Sequence, residues 1–288
     1  MALETTRVSL LRELSDTERA LELVVDLDLR REGSVRKLQL LATGDGGLTV
    51  SIIGAGVGNP LDLSRFAGSL RGRVSSDDMG SISELFGADV SGTGDLLFWT
   101  DASAGQASTV FEVTGDALFP ASDARLPSMA FSVNGTAILD SNESLINIAQ
   151  AAVTLKQGPV QFNDINVSLT TTGWELLVND LDLASGAQLL LEAGLIPESG
   201  REPLAAASIS GTINALSLSG SLFDESIERV AVDFDDIFVR EDAPFPGISG
   251  LSGSLMLSGN AGQLQVNSSD LTLGLSLIHI SEPTRPQC

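Results

Sequence analysis

Tyrosine is absent from this 288-residue sequence, histidine and cysteine occur once each, and only 2 tryptophans accompany 11 phenylalanines. The two singletons, His279 and Cys288, both lie close to the C-terminus. A disulfide framework needs paired cysteines, so none exists here. Zinc centres built on histidine and cysteine are excluded, as are Ser-His-Asp and Cys-His nucleophiles in the body of the chain. Positive charge is also scarce, with 16 Lys and Arg against 38 Asp and Glu and a net charge of -22. Nucleic acid is thereby excluded as a partner, because phosphate binding needs clustered cations. Direct docking on an anionic membrane surface is disfavoured for the same reason. No run of 18 apolar residues occurs, so no membrane-spanning helix is expected within this stretch. Gly54-Ala55-Gly56-Val57-Gly58-Asn59 lacks the last glycine of a dinucleotide loop, and no phosphate-cradling GxxxxGK is present.

Residues 275–285, LSLIHISEPTR, resemble the translation of a transposase-type sequencing adaptor. Residues 275–288 are therefore expected to be read-through without structural role, and the rest an internal piece of a longer protein.

What the sequence does contain is alternation. Apolar residues make up 43% of it, drawn mostly from Leu, Val, Ile and Ala, with 29 glycines as punctuation. Leu21, Leu23, Val25, Leu27 and Leu29 alternate with Glu22, Val24, Asp26 and Asp28, the period of a strand with one apolar face. The same pattern predicts strands at 35–42, 48–53, 70–75, 90–100, 109–113, 129–139, 147–155, 160–170, 174–183, 208–218, 251–257 and 263–266. Short helices are expected at 60–66, 79–86 and 186–194, and loops at 102–107 and 196–202. Residues 229–275 form the clearest module. Val230, Val232 and Phe234 alternate with polar residues, and Asp235-Asp236 then shifts the phase to Ile237 and Val239. A bulge is required there if both sets are to share a face. The close spacing of strands argues an antiparallel meander and not βαβ units. A division into two units, 1–115 and 116–274, is expected.

Paired aspartates at Asp26/Asp28, Asp180/Asp182 and Asp233/Asp235 have the i, i+2 spacing of one strand face. That spacing suits acid–base chemistry, but it is also what the solvated face of an amphipathic strand looks like. Asn134, Asn142, Asn166 and Asn267 begin glycosylation-type triplets of the kind that chance produces in a Ser/Thr-rich chain. The apolar strand faces are the remaining signal. A long sheet with one apolar face must fold on itself, be covered, or hold an apolar ligand.

Three stretches carry a family resemblance. They are "VAVDFDDIFVRED…FPGISGLSGSL…GQLQVNSSDLTLGL" from Val230, "GSLRGRV…MGSISELFGADVSGTGDLLFW" from Gly68, and residues 158–196 with their Trp-bearing strand and Leu-rich short helix. The chain resembles the AsmA-like superfamily, most closely its very long YhdP branch. The resemblance implies a mainly β fold, a long curled meander forming a repeating groove. It implies a periplasmic protein anchored to the inner membrane by an N-terminal helix. Phospholipid acyl chains would pass along the apolar interior between inner and outer membranes. No cofactor, no metal and no catalytic residue is implied, and its envelope protein partners are open. The expected groove-facing residues are Leu21, Leu23, Val25, Leu27, Val230, Val232, Phe234, Leu255 and Leu257. The alternative is a structural or adhesive β-repeat of a cell-surface protein. A carboxylate-pair hydrolase lacks a positioned partner residue.

Overall fold

The computed structural model describes residues 6–14, 17–59, 65–79, 91–103, 105–118, 129–140, 143–156, 158–193, 196, 198–222, 226–240, 247–259 and 261–274, with backbone alone at 6–22, 117 and 118. The described residues form one open antiparallel sheet of sixteen strands. In order these are β1 (Thr6–Leu14), β2 (Thr17–Glu32), β3 (Val35–Gly44), β4 (Thr49–Val57), β5 (Ala67–Ser76), β6 (Ser91–Ser103), β7 (Gln106–Leu118) and β8 (Met129–Asp140). The second half continues with β9 (Glu143–Leu155), β10 (Gly158–Thr170), β11 (Gly173–Asp182), β12 (Ser210–Ser221), β13 (Ile227–Val239), β14 (Gly247–Ser258), β15 (Ala261–Val266) and β16 (Thr272–Gly274). Each strand from β1 to β14 pairs with the strand that follows it, and β16 returns to β14. β1 and β15 stand at opposite ends of this order, so the sheet is not closed. The expected division near residue 115 falls inside β7, which pairs along its length with both β6 and β8.

Antiparallel meandering puts alternate connections on opposite rims of the sheet. On one rim β2–β3, β6–β7, β8–β9, β10–β11 and β14–β15 join through connections of only a few residues. On the other, β5–β6, β7–β8, β11–β12 and β13–β14 are joined by longer stretches. The β11–β12 connection holds α1 (Leu183–Glu192) and α2 (Glu198–Ala207). Asp182 ends β11 and caps α1, its carboxylate accepting from Ser185 N–H at 2.8 Å. This cap starts the helix three residues before the expected 186, because it satisfies a first-turn N–H that would otherwise lie unpaired.

Three local expectations are corrected. Residues 196–202 were expected as a loop from their Pro, Glu and Gly content, yet 198–207 are helical with Pro203 inside. Burial of Ala207 at 2% exposure and the run Leu204-Ala205-Ala206-Ala207 outweigh the weak local propensity. The loop expected at 102–107 is shorter, since Ala102, Ser103, Gln106 and Ala107 are strand residues. Ala102 and Ala107 are cross-strand partners and both are buried, at 6% and 3% exposure. The strand expected at 109–113 is thirteen residues long, Gln106–Leu118. The helices expected at 60–66 and 79–86 fall mostly outside the described residues. The phase shift at Asp235-Asp236 is found as expected. β13 advances three residues from Phe234 to Ile237 while β14 advances two, from Gly253 to Leu251. Asp236 takes the positive φ of 48° that this bulge demands.

The most deeply buried residues gather at the rims. On the rim of the β2–β3 and β4–β5 connections Phe66, just before β5, is fully buried against Ala102, Ala107 and Leu70. Its ring occupies a socket of small residues, Gly56, Gly68, Ala102 and Ala107, which are cross-strand partners in succession on β4, β5, β6 and β7. On the opposite rim Met129, Leu155, Val160 and Ala193 form a second cluster, with Leu189 of α1 packed on it. Among the described residues no buried side-chain nitrogen or oxygen lacks a hydrogen-bond partner.

Candidate functional site

Register converts the alternation of single strands into a continuous apolar surface. Leu27 pairs with Leu40, Leu40 with Ile52, Ile52 with Gly72, Gly72 with Phe98 and Phe98 with Phe111. The row continues through Gly135, Ile148, Ile165, Val178, Leu216, Val232 and Leu255 to Leu264. Every position on fourteen successive strands, from β2 to β15, is apolar or glycine. At the usual interstrand spacing its contour is about 60 Å. A parallel row runs from Leu29 and Leu38 through Gly54, Leu70, Ala137, Ile146, Val167, Leu176, Leu218 and Val230 to Leu257 and Gly262. Its one polar rung is Thr100 opposite Thr109. Those two hydroxyls bond each other at 2.8 Å, so the rung offers no unpaired group to an apolar neighbour.

Glycine in these rows keeps the wall level. A Cβ at Gly72 would lie 2.5 Å from Phe98 Cζ, and one at Gly135 would lie 2.9 Å from Phe111 Cζ. Phe131 covers Gly115 and Trp174 covers Gly220 in the same manner. Each ring lies across the dent left by the missing side chain on its cross-strand partner. Gly94 and Gly72 thus mark places where a larger side chain, Met79 or Phe98, lies over the backbone.

The expected groove residues fall at the two ends of these rows. Leu23, Val25 and Leu27 sit on β2, half-buried, and Leu21 is on the same strand opposite Leu10. Val230 and Val232 pair with Leu257 and Leu255, and Phe234 with Gly253. Those with described side chains face the apolar side, but the β2 and β13 groups lie eleven strands apart, about 50 Å along the sheet. The residues that join them, among them Leu40, Ile52, Phe98, Ile165 and Leu216, were legible as alternation on their own strands. Their place in a single row depends on register between strands.

The opposite face is hydrophilic with scattered apolar positions. Asp26, Asp233 and Asp235 are exposed there, as expected of a solvated face. Asp28 is ion-paired with Arg30 at 2.6 Å, and Arg73 donates two hydrogen bonds to Asp95. These bonds raise both guanidinium pKa values above the ordinary arginine value. The third expected pair is split, since Asp180 takes a positive φ of 51° and Asp182 caps α1. Two cavities open on this hydrophilic face. The larger, about 570 Å³, lies over β2–β6 around Arg71 and Trp99. The smaller, about 330 Å³, lies over β8–β11 around Asn147, Asn166 and Leu177. Asn147 Nδ2 donates to Asn166 Oδ1 at 2.8 Å across it. Among the described residues no group of three or more His, Cys, Asp or Glu is placed to hold a metal ion, and no helix is long and apolar enough to cross a membrane.

Scans against protein-family models, curated proteins and solved structures give no match for this chain.

Proposed function

We propose that this chain is a segment of a lipid-transport protein of the AsmA and YhdP kind, in which the apolar face carries phospholipid acyl chains through the periplasm. In the full-length protein the segment would be held to the inner membrane by an N-terminal anchor. The observation that carries the reading is the unbroken row from Leu27 to Leu264. A contour of about 60 Å is roughly twice the hydrocarbon thickness of a bilayer, far more than one bound lipid needs. A binding pocket for a single ligand would be local and enclosed. A wall that stays apolar over fourteen strands suits a chain that slides. Burial concentrated at the rims leaves the middle rows only partly buried, where an acyl chain would complete the contact. Carboxylates on the hydrophilic face keep such a long sheet soluble.

The test is extraction and face-selective crosslinking. The chain purified from a diderm host is extracted with organic solvent and its lipids are identified by mass spectrometry. A photoreactive residue is then placed at Ile52, on the apolar row, or at its neighbour Ser51, on the other face. Co-purified phospholipid and crosslinks confined to position 52 are expected, and Val232→Glu is expected to lower the lipid recovered. A lipid-free chain, or equal crosslinking from both faces, would overturn the proposal and favour a structural or adhesive sheet.

A further inference from the structure

We propose that the cavity over β2–β6 on the hydrophilic face binds an acidic sugar, a hexose ring carrying one carboxylate. It lies on the face opposite the apolar wall, so this assignment is independent of the lipid reading.

The cavity floor is a cross-strand row. Gln39 pairs with Ile53, Ile53 with Arg71, and Arg71 with Trp99. Beside it Ser69 pairs with Asp101. Trp99 is 50% exposed. Its counterpart Trp174 lies against Gly220. A half-exposed indole in a concave site presents a flat apolar platform with polar groups at its edges. At about 570 Å³ the cavity falls within the range of small-ligand sites.

Charge selects the ligand. The first 75 residues hold 10 basic and 10 acidic residues, while the remaining ones hold 6 and 28. The strands around this cavity therefore include the part of the chain whose charge is balanced, and an anion is not repelled there at the range that salt leaves unscreened. Three cations line the cavity. Arg30 is held by Asp28 at 2.6 Å and Lys37 by Glu32 at 2.7 Å. Arg71 has no ion pair or side-chain hydrogen bond among the described residues, and neither has Asp101. One unpaired guanidinium matches one carboxylate, which its planar fork takes in two parallel hydrogen bonds. Asp101 offers acceptors, and Gln39 and Ser69 supply both donors and acceptors. A polyhydroxylated ring satisfies all three, and its C–H face suits the indole. A nucleotide would also stack on Trp99, but its doubly charged phosphate exceeds the single free cation and meets Asp28 and Asp101.

The experiment titrates the chain with glucuronate, with glucose and adenosine monophosphate as comparators. Binding is read by calorimetry on the unaltered chain and by Trp99 fluorescence in a Trp174→Phe background. Saturable glucuronate binding is expected, with glucose at least tenfold weaker. Arg71→Gln is expected to weaken glucuronate about tenfold or more, and Trp99→Ala to abolish the binding heat. Arg73→Gln, outside the cavity and already engaged by Asp95, should leave it unchanged. Circular dichroism verifies that each variant keeps its sheet. Absence of saturable glucuronate binding overturns the proposal. So does an undiminished affinity in Arg71→Gln, or tighter binding of the nucleotide than of the sugar acid.

Discussion

The ring of Phe66 lies directly on Gly56, and a Cβ at that glycine would sit 2.5 Å from Phe66 Cζ. Phe66 is fully buried, and the same ring also covers Gly68. One aromatic therefore closes a socket assembled from four strands, and two simple substitutions test the socket from opposite sides. Phe66→Ala should cost about 3–5 kcal/mol in urea unfolding, through lost contact and the cavity left behind. Gly56→Ala should cost about 1–3 kcal/mol, because the ring and the Ala67 carbonyl must both give way. A loss below about 1 kcal/mol for Phe66→Ala would mean that the socket is not closed in solution.

Thr100 and Thr109 form the polar rung inside an apolar row, and their energetics should be strongly coupled. Thr100→Val alone leaves the Thr109 hydroxyl without its partner, at a cost of about 1–3 kcal/mol. The double change to valine removes both polar groups and should cost less than the two single changes added together. A double-mutant cycle by chemical denaturation gives the coupling directly, and additive losses would show that water already serves both hydroxyls.

The bulge at Asp236 is pinned from β14. Asp236 N–H donates to Ser252 Oγ at 3.0 Å, and the Ser252 hydroxyl donates to Asp235. The left-handed backbone there penalises a β-branched residue. Asp236→Val should lower stability by about 1–2 kcal/mol, whereas Asp236→Gly should stay within about 1 kcal/mol of the parent. Thermal melts of the two variants should differ in that order, and equal melting temperatures would contradict the conformation assigned to this residue.

Asp182 caps α1 with one hydrogen bond to Ser185 N–H. Asp182→Ala should cost about 1 kcal/mol, and Asp182→Asn should recover most of it. Hydrogen exchange at the first turn of α1 offers a local readout, with faster exchange expected for the alanine variant alone.

Much of this architecture is legible in the order of residues. Alternation located most of the strands, and the slip at Asp235-Asp236 foretold the bulge because it breaks the period within six residues of sequence. Ala102 and Ala107 were misread as loop because small residues give no periodic signal. What makes them strand is the Phe66 ring above them, together with Gly68 and Leu139 on the adjoining strands. The helix at 198–207 was hidden by Gly200 and Pro203, and tertiary burial overrides that local reluctance. The apolar wall was visible only strand by strand. Its continuity depends on the register of fourteen strands, which turn lengths set and which no single strand encodes. The cavity at Arg71 and Trp99 was not anticipated. Its residues come from five strands and share only a position on the hydrophilic face.

Because every strand from β1 to β14 pairs with its immediate successor, the sheet has a parity. The three longest connections follow β5, β7 and β11, all odd-numbered, so all leave from one rim. Loss or gain of a single strand would reverse the direction of every later strand and send those connections to the opposite rim. Loss or gain of a hairpin would keep both rims and both faces as they are. Natural length variation in proteins built this way should therefore occur in steps of two strands.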